Sequence, residues 1–297
     1  VSLSDAIRLM LLSAIWGASF LFMRIAVPEF GPFAMIFGRI GGGALVLLPV
    51  LLRPENSRLV LQNKASLFFL GFVNAALPFC LFGFASTSLA AGFTSLLNAS
   101  TPIFTAIVGF LWLRLPLLRS QVLGLLIGFL GIAILTGDQL NFEKGGTGWP
   151  IVAVLMATCS YGVSGHYAKT RFANFTPLLV SAGSLFCAAL ILLPLAFLFP
   201  PPGMPSAGAI AATLTLAFLC TAFAFVLFFD ILKRTGATAA ATVTFVIPVF
   251  GVLWGALFLH ETVSVRMIIG MAVALLGTAF VTKLLPLKRK QNATGLK

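Results

Sequence analysis

Residues 102–131, PIFTAIVGFLWLRLPLLRSQVLGLLIGFLG, and residues 248–277, PVFGVLWGALFLHETVSVRMIIGMAVALLG, decide the fold between them. Laid over each other with a shift of 146, Pro102 falls on Pro248, Phe104 on Phe250, Gly109 on Gly255, Gly124 on Gly270 and Gly131 on Gly277. Further towards the N-terminus, a shift of 145 places Trp16-Gly17 on Tyr161-Gly162, Ser19 on Ser164, Arg24 on Lys169, Pro32 on Pro177 and Pro49 on Pro194. Prolines and glycines that keep register over such a distance, in almost purely apolar text, mark an internal duplication.

Hydrophobic residues make up 60% of the chain and charged residues only 9%, against about 25% charged in soluble domains. So much apolar surface places the chain in lipid. A hydrocarbon core of about 30 Å takes roughly 20 helical residues, and apolar runs of that size lie near 6–27, 32–52, 65–86, 91–113 and 120–137. A second set lies near 149–168, 178–199, 208–230, 236–259 and 265–285. The runs are continuously apolar, without the period-two alternation of a barrel, which predicts helices. The first run is too long for a signal-peptide core and belongs to the repeat, so it is expected to remain in the mature protein.

Five spans per repeat is an odd number, so the second copy enters the membrane from the opposite side. The expected fold class is an all-α membrane protein of ten transmembrane helices forming two inverted five-helix repeats. The repeats are 1–140 and 145–285, followed by a basic cytoplasmic tail at 286–297. With the N-terminus inside, 15 of the 19 lysines and arginines fall in cytoplasmic segments. Only Lys144 and Arg266 then lie in outside loops, and Arg24 and Arg39 lie within spans. The positive-inside rule thus puts both termini in the cytoplasm. The net charge of +12 comes from single loop charges, not a basic stripe with interleaved aromatics, which argues against nucleic acid as a partner.

Residues inside spans that are polar, aromatic or helix-breaking are the candidates for a substrate cavity. The fourth span carries Thr94, Asn98 and Pro102, and the ninth carries Thr242, Phe245 and Pro248. Pro102 removes a backbone donor near Asn98, freeing a carbonyl beside an amide. That pair either meets an ammonium group or water, or it is a kink satisfied by neighbouring hydroxyls. Asn74 with Pro78 forms a similar pair midway along the third span; an amide there must face a cavity or another helix. Trp16, one turn before Ser19, and its counterpart Tyr161 either wall the cavity or pack. Arg39, a third of the way down the second span, needs a partner: a substrate carboxylate or helix-end carbonyls. Arg24 and Lys169 read as snorkelling side chains, and His166 as an interfacial histidine. The glycines of the fifth and tenth spans suit close helix packing, in support of each repeat or in a homodimer contact.

What is missing narrows the class. The four cysteines lie in apolar runs without metal-ligand spacing, so no metal and no cofactor are expected. No HExxH, GxSxG or Walker-type sequence occurs, so catalytic residues are not expected either. No carboxylate sits near the middle of a span, so the usual intramembrane proton relay is absent. That points to facilitation or exchange driven by the substrate gradient, or to coupling through a group such as His166. A channel would want rings of charge or carbonyls around one pore, whereas inverted repeats with proline-kinked spans favour alternating access.

In Ser13-Ala14-Ile15-Trp16-Gly17-Ala18-Ser19-Phe20, in Pro248 through Glu261-Thr262 and in Ile269-Gly270 through Leu276-Gly277, the chain resembles the drug/metabolite transporter superfamily. Within it, the chain is most similar to the ten-helix EamA-type exporters. The resemblance implies export of amino acids or related small metabolites across a bacterial inner membrane, with drugs, nucleobases or sugar derivatives as the other substrate classes. It departs from the family pattern at Leu115, opposite Glu261, where an acidic residue is common; a loop or interface difference is the reading of that change.

Overall fold

A computed structural model describes residues 2–285; the expected basic tail at 286–297 lies outside the described residues. The described chain is helical throughout its ordered elements, with ten apolar helical segments in order. Spans 1 to 5 are Leu3–Phe30, Pro32–Leu51, Lys64–Ala85, Ala91–Leu113 and Arg119–Thr136. Spans 6 to 10 are Gly148–Arg171, Pro177–Leu198, Ala207–Gly236, Ala239–Leu259 and the shorter Val265–Val281. A short surface helix, Pro54–Gln62, joins spans 2 and 3. The proline at the start of spans 2 and 7 is the residue best suited to a first helical turn, where its missing N–H costs nothing.

The duplication extends to backbone detail. Span 3 carries a π-helical turn at Phe72–Ala76 and span 8 one at Phe218–Phe223. Spans 4 and 9 both end on a left-handed residue, Arg114 and His260, each with φ of 53°. In both, the next residue's N–H donates back to a glycine carbonyl, Leu115 to Gly109 and Glu261 to Gly255, each at 3.1 Å. The same local chain geometry recurs in segments that cross the bilayer in opposite senses.

The two sequence repeats do not form two separate bodies. Span 1 packs against spans 8 and 9 of the other repeat, and span 6 packs against spans 3 and 4. Spans 2 and 7 meet each other, as do spans 5 and 10. Two three-helix bundles result, one of spans 1, 8 and 9 and one of spans 3, 4 and 6. The last pair is the closest: a methyl added to Gly124 would sit 2.6 Å from the Gly277 carbonyl oxygen, and one on Gly131 would collide with the Ala274 backbone. The glycines of spans 5 and 10 are therefore engaged within one chain.

Two sequence expectations change here. Span 4 is not merely kinked at Pro102: it ends at Asn98 and restarts at Thr101, with Pro102 in the first turn of the new helix. The ninth span breaks at Thr242, one and a half turns before Pro248, so the two interruptions are not equivalent. Arg24 does not snorkel; its Nη1 donates to the carbonyls of Ser86 and Thr87 at 2.8 and 2.9 Å. That closes the C-terminal end of span 3, where a cation suits the helix dipole.

Candidate functional site

A cavity of about 390 Å³ opens on the face that carries the first described residues and the end of span 10, called here the terminal face. Thr101, Pro102 and Thr105 of span 4 form its deep end, and His166 and Thr244 stand on spans 6 and 9. Leu115, Gln121 and Thr282 form its mouth. Spans 5 and 10 thus supply lining at the mouth as well as support, more than the sequence indicated. His166 Nε2 lies 2.9 Å from the Thr105 carbonyl oxygen. A carbonyl only accepts, so this nitrogen carries the proton. Gly109 makes room for the imidazole, since an added methyl would lie 2.8 Å from Nε2.

The break in span 4 is satisfied locally. Thr101 Oγ1 donates to the Asn98 carbonyl at 2.7 Å and Ser100 Oγ to that of Leu97 at 2.7 Å. Thr278 of span 10 donates to Ala99 at 3.3 Å. The carbonyl expected to be free beside Asn98 therefore has a hydroxyl on it. Thr94 is buried and bonds back to Ala90 at 3.0 Å, and Thr242 bonds back to Ala239 at 2.7 Å. Neither lines the cavity. Phe245 is half-buried beside the break at Thr242, and Pro248 is buried inside span 9. Asn74, in the π-turn of span 3, accepts from Ser164 of span 6 at 3.0 Å, and Pro78 is buried just beyond it.

Arg39 organises a second cluster, level with the deep end of the cavity. Its side chain is 4% exposed in mid-protein. Nε donates to Thr221 Oγ1 in the π-turn of span 8 at 3.1 Å, and Nη1 reaches Met23 Sδ at 3.6 Å. Its Cζ lies 4.1 Å from the centroid of Phe79 on span 3, a cation–π contact. Tyr161 and Cys220 lie near Arg39. Arg39 is paired with no carboxylate among the described residues; the ion pairs Arg8–Asp5, Arg8–Asp230 and Arg234–Asp230 lie near the terminal face. Ser19 Oγ faces Cys220 without meeting hydrogen-bond geometry and has no partner.

Around this cluster the aromatic rings obey the repeat. Tyr161 stacks on Phe82 with centroids 6.1 Å apart, and Trp16 meets Phe228 at 5.4 Å and Phe225 at 6.4 Å. Phe225 and Phe228 are the counterparts of Phe79 and Phe82 at a shift of 146. The candidate aromatics are therefore paired by symmetry, each to a phenylalanine of the third or eighth span. Arg39 itself breaks the symmetry, since position 184 holds a serine.

The opposite face is held shut by charges on helix ends. Glu261 accepts from the backbone N–H groups of Ala91 and Gly92, at 2.6 and 2.9 Å, at the start of span 4. Glu29 accepts from Ser206 N and Oγ at the start of span 8. Both place an anion at a helix N-terminus, the favourable end of the dipole. Glu261 and Arg24 bridge the two three-helix bundles. On the terminal face the polar side-chain links among the described residues do not bridge the two bundles: Arg8 with Asp230 joins spans 1 and 8, Arg171 with Ser66 joins spans 6 and 3, and Gln121 with the Val281 carbonyl joins spans 5 and 10.

A profile of the EamA-like transporter family matches residues 5–137 and, a second time, residues 148–283. The chain belongs to the EamA-like transporter family. Among curated relatives of this EamA-like protein, an uncharacterized transporter of Bacillus subtilis, YoaV, is 25% identical over 271 residues, spanning 86% of this chain and 89% of the relative. Protein PecM of Dickeya dadantii is 28% identical over 208 residues, or 69% of each chain. A solved crystal structure superposes with a TM-score of 0.62 at 21% identity, covering 96% of this EamA-like chain and 98% of the other, which shows a shared fold. The protein is a multi-pass membrane transporter.

Proposed function

We propose that this transporter exports amino acids or related small metabolites across the bacterial inner membrane by alternating access, with both termini cytoplasmic. One observation carries the reading. The cavity reaches from the terminal face to the break in span 4 at mid-depth, while bonds between the two bundles close the opposite face. This is the inward-open arrangement of a carrier whose bundles of spans 1, 8, 9 and spans 3, 4, 6 rock against one another. The distribution of lysine and arginine supports the orientation.

The energetics follow from the acids. All seven acidic residues lie at span ends or in loops, so no carboxylate relay crosses the bilayer. Export is driven by the substrate's own gradient, as facilitation or exchange. Counterflow in proteoliposomes tests the proposal: vesicles loaded with unlabelled amino acids should accumulate labelled threonine, methionine or phenylalanine from outside. Saturable accumulation that depends on the internal solute establishes a carrier. Flux without counterflow would indicate a channel, and silence with every amino acid would move the substrate to drugs, nucleobases or sugar derivatives. Strong stimulation by an imposed pH gradient at clamped potential would overturn the facilitator mechanism.

A further inference from the structure

Three side chains around the π-turn of span 8 offer hydrogen-bond donors that the protein does not use. Of the five N–H groups of Arg39, one meets Thr221 and one meets a thioether, a weak acceptor, which leaves three. Ser19 is 4% exposed and its Oγ has no partner. The Tyr161 hydroxyl forms no hydrogen bond to the described residues, although its ring is fixed on Phe82. A buried cation without a counter-charge is costly in a membrane protein, and the unmet buried hydroxyl of Ser19 adds to that cost. A group that supplied acceptors and a negative charge would remove both.

We infer that Arg39, Ser19 and Tyr161, with Thr221 orienting the guanidinium, form a mid-membrane anion site that receives the carboxylate of a small substrate with an apolar body. The inference rests on the exporter reading and narrows it. A carboxylate matches the planar fork of an arginine with two parallel hydrogen bonds and leaves lone pairs for the two hydroxyls. Trp16, Phe79 and Phe82 supply an apolar wall for the rest of the molecule. Depth fits as well. Arg39 lies seven residues into span 2 from the opposite face, Thr101 ten residues into span 4 and Ser19 eleven residues from the end of span 1. At a rise of 1.5 Å per residue these are within about 6 Å of one another along the membrane normal, so the floor of the open cavity and the anion site share one level. Span 6 connects them: Tyr161 stacks on Phe82, one turn from the Phe79 ring that meets Arg39, and the adjacent Gly162 rests on the backbone of Thr105. Arg39 also touches both bundles, through Met23 and Thr221 on one and Phe79 on the other. A carboxylate bound there is held between the two moving parts.

The test uses three probes of one shape: phenylalanine, phenylpyruvate, which lacks the ammonium, and phenethylamine, which lacks the carboxylate. Binding to the purified full-length protein is followed by thermal shift, separately from counterflow. Both carboxylates should stabilise the wild type and phenethylamine should not. Ser19→Ala and Tyr161→Phe remove hydroxyls that bond nothing in the protein, so both variants should fold. Each should weaken phenylpyruvate binding by about tenfold or more, the effect of one hydrogen bond to an ion. Arg39→Lys keeps the charge but loses the fork, and should weaken binding at least as much. Phenethylamine binding equal to phenylalanine, no binding of either carboxylate, or unchanged phenylpyruvate binding in all three variants would overturn the anion site. If the binding pattern holds but counterflow is absent, the exporter reading fails and the anion site stands.

Discussion

Single residues in this protein divide by whether their polar atoms are already spent. Thr101 is spent on Asn98, closing the broken end of a helix at mid-membrane. Thr101→Val should cost about 1 kcal/mol, a typical net value for one hydrogen bond, seen as a lower midpoint in detergent melting. Thr94→Val removes only a bond back to its own helix and should leave the midpoint nearly unchanged. Asn98→Leu and Asn74→Leu should abolish counterflow while the protein still inserts and elutes as a single species; wild-type transport in either would remove that amide from the substrate path. Arg39 announced itself in the sequence as a charge too deep to be idle. Its neighbours did not, because Met23, Phe79 and Thr221 come from three other spans and meet only through tertiary packing. The pairing of Phe79 with Phe225 and Phe82 with Phe228 was readable from the shift of 146 that revealed the prolines. His166 looked interfacial because span 6 was expected to end near 168; it runs to Arg171, which draws the imidazole deeper, against Thr105.

At the scale of elements, hydropathy and length locate all ten spans, most ends within about four residues and span 8 running six residues past its expected end, since the bilayer fixes how long an apolar helix must be. The interruptions inside them are less legible. A proline demands only one lost hydrogen bond; whether the helix bends or breaks depends on which hydroxyls close the freed carbonyls, and span 4 has Ser100 and Thr101 to do so. The π-turns leave no mark in composition. Glycines show the same division between visible residue and hidden partner. Gly131→Ala should force spans 5 and 10 apart, costing about 1–3 kcal/mol as overpacking does, because Ala274 lies in the way. Gly165→Ala meets nothing within 4 Å and should stabilise span 6 by about 0.5–1 kcal/mol. Melting midpoints that move in the same direction for both would contradict the packing described.

Across the whole molecule, one tie between the bundles has a repeat counterpart that cannot form it. Glu261 ties the loop after span 9 to the start of span 4. Its counterpart Leu115 has no carboxylate with which to tie the loop after span 4 to the start of span 9, near 237–238. The absence of that bond matches the open terminal face. Glu261→Gln should loosen the opposite face and reduce labelling of a Thr105→Cys reporter from the terminal face, in a background lacking Cys80, Cys159, Cys187 and Cys220. Each lost bond to a charge is worth about 1.5–3 kcal/mol, so a population shift of tenfold or more is expected. Leu115→Glu should act in the same direction by supplying the missing tie. Labelling unchanged in both variants would mean that the latch does not set the balance of states.

The crossing of partners between repeats also bears on how the chain is made. Span 1 finds its neighbours in spans 8 and 9, and spans 3 and 4 wait for span 6. At about 5–20 residues per second, a ribosome needs on the order of 10–30 s to deliver the second repeat after the first. Throughout that interval the leading five helices stand in the bilayer with Arg39 lacking Thr221 and span 4 lacking span 6. A nascent first half is thus an orphan by construction, without its main packing partners until its inverted twin arrives.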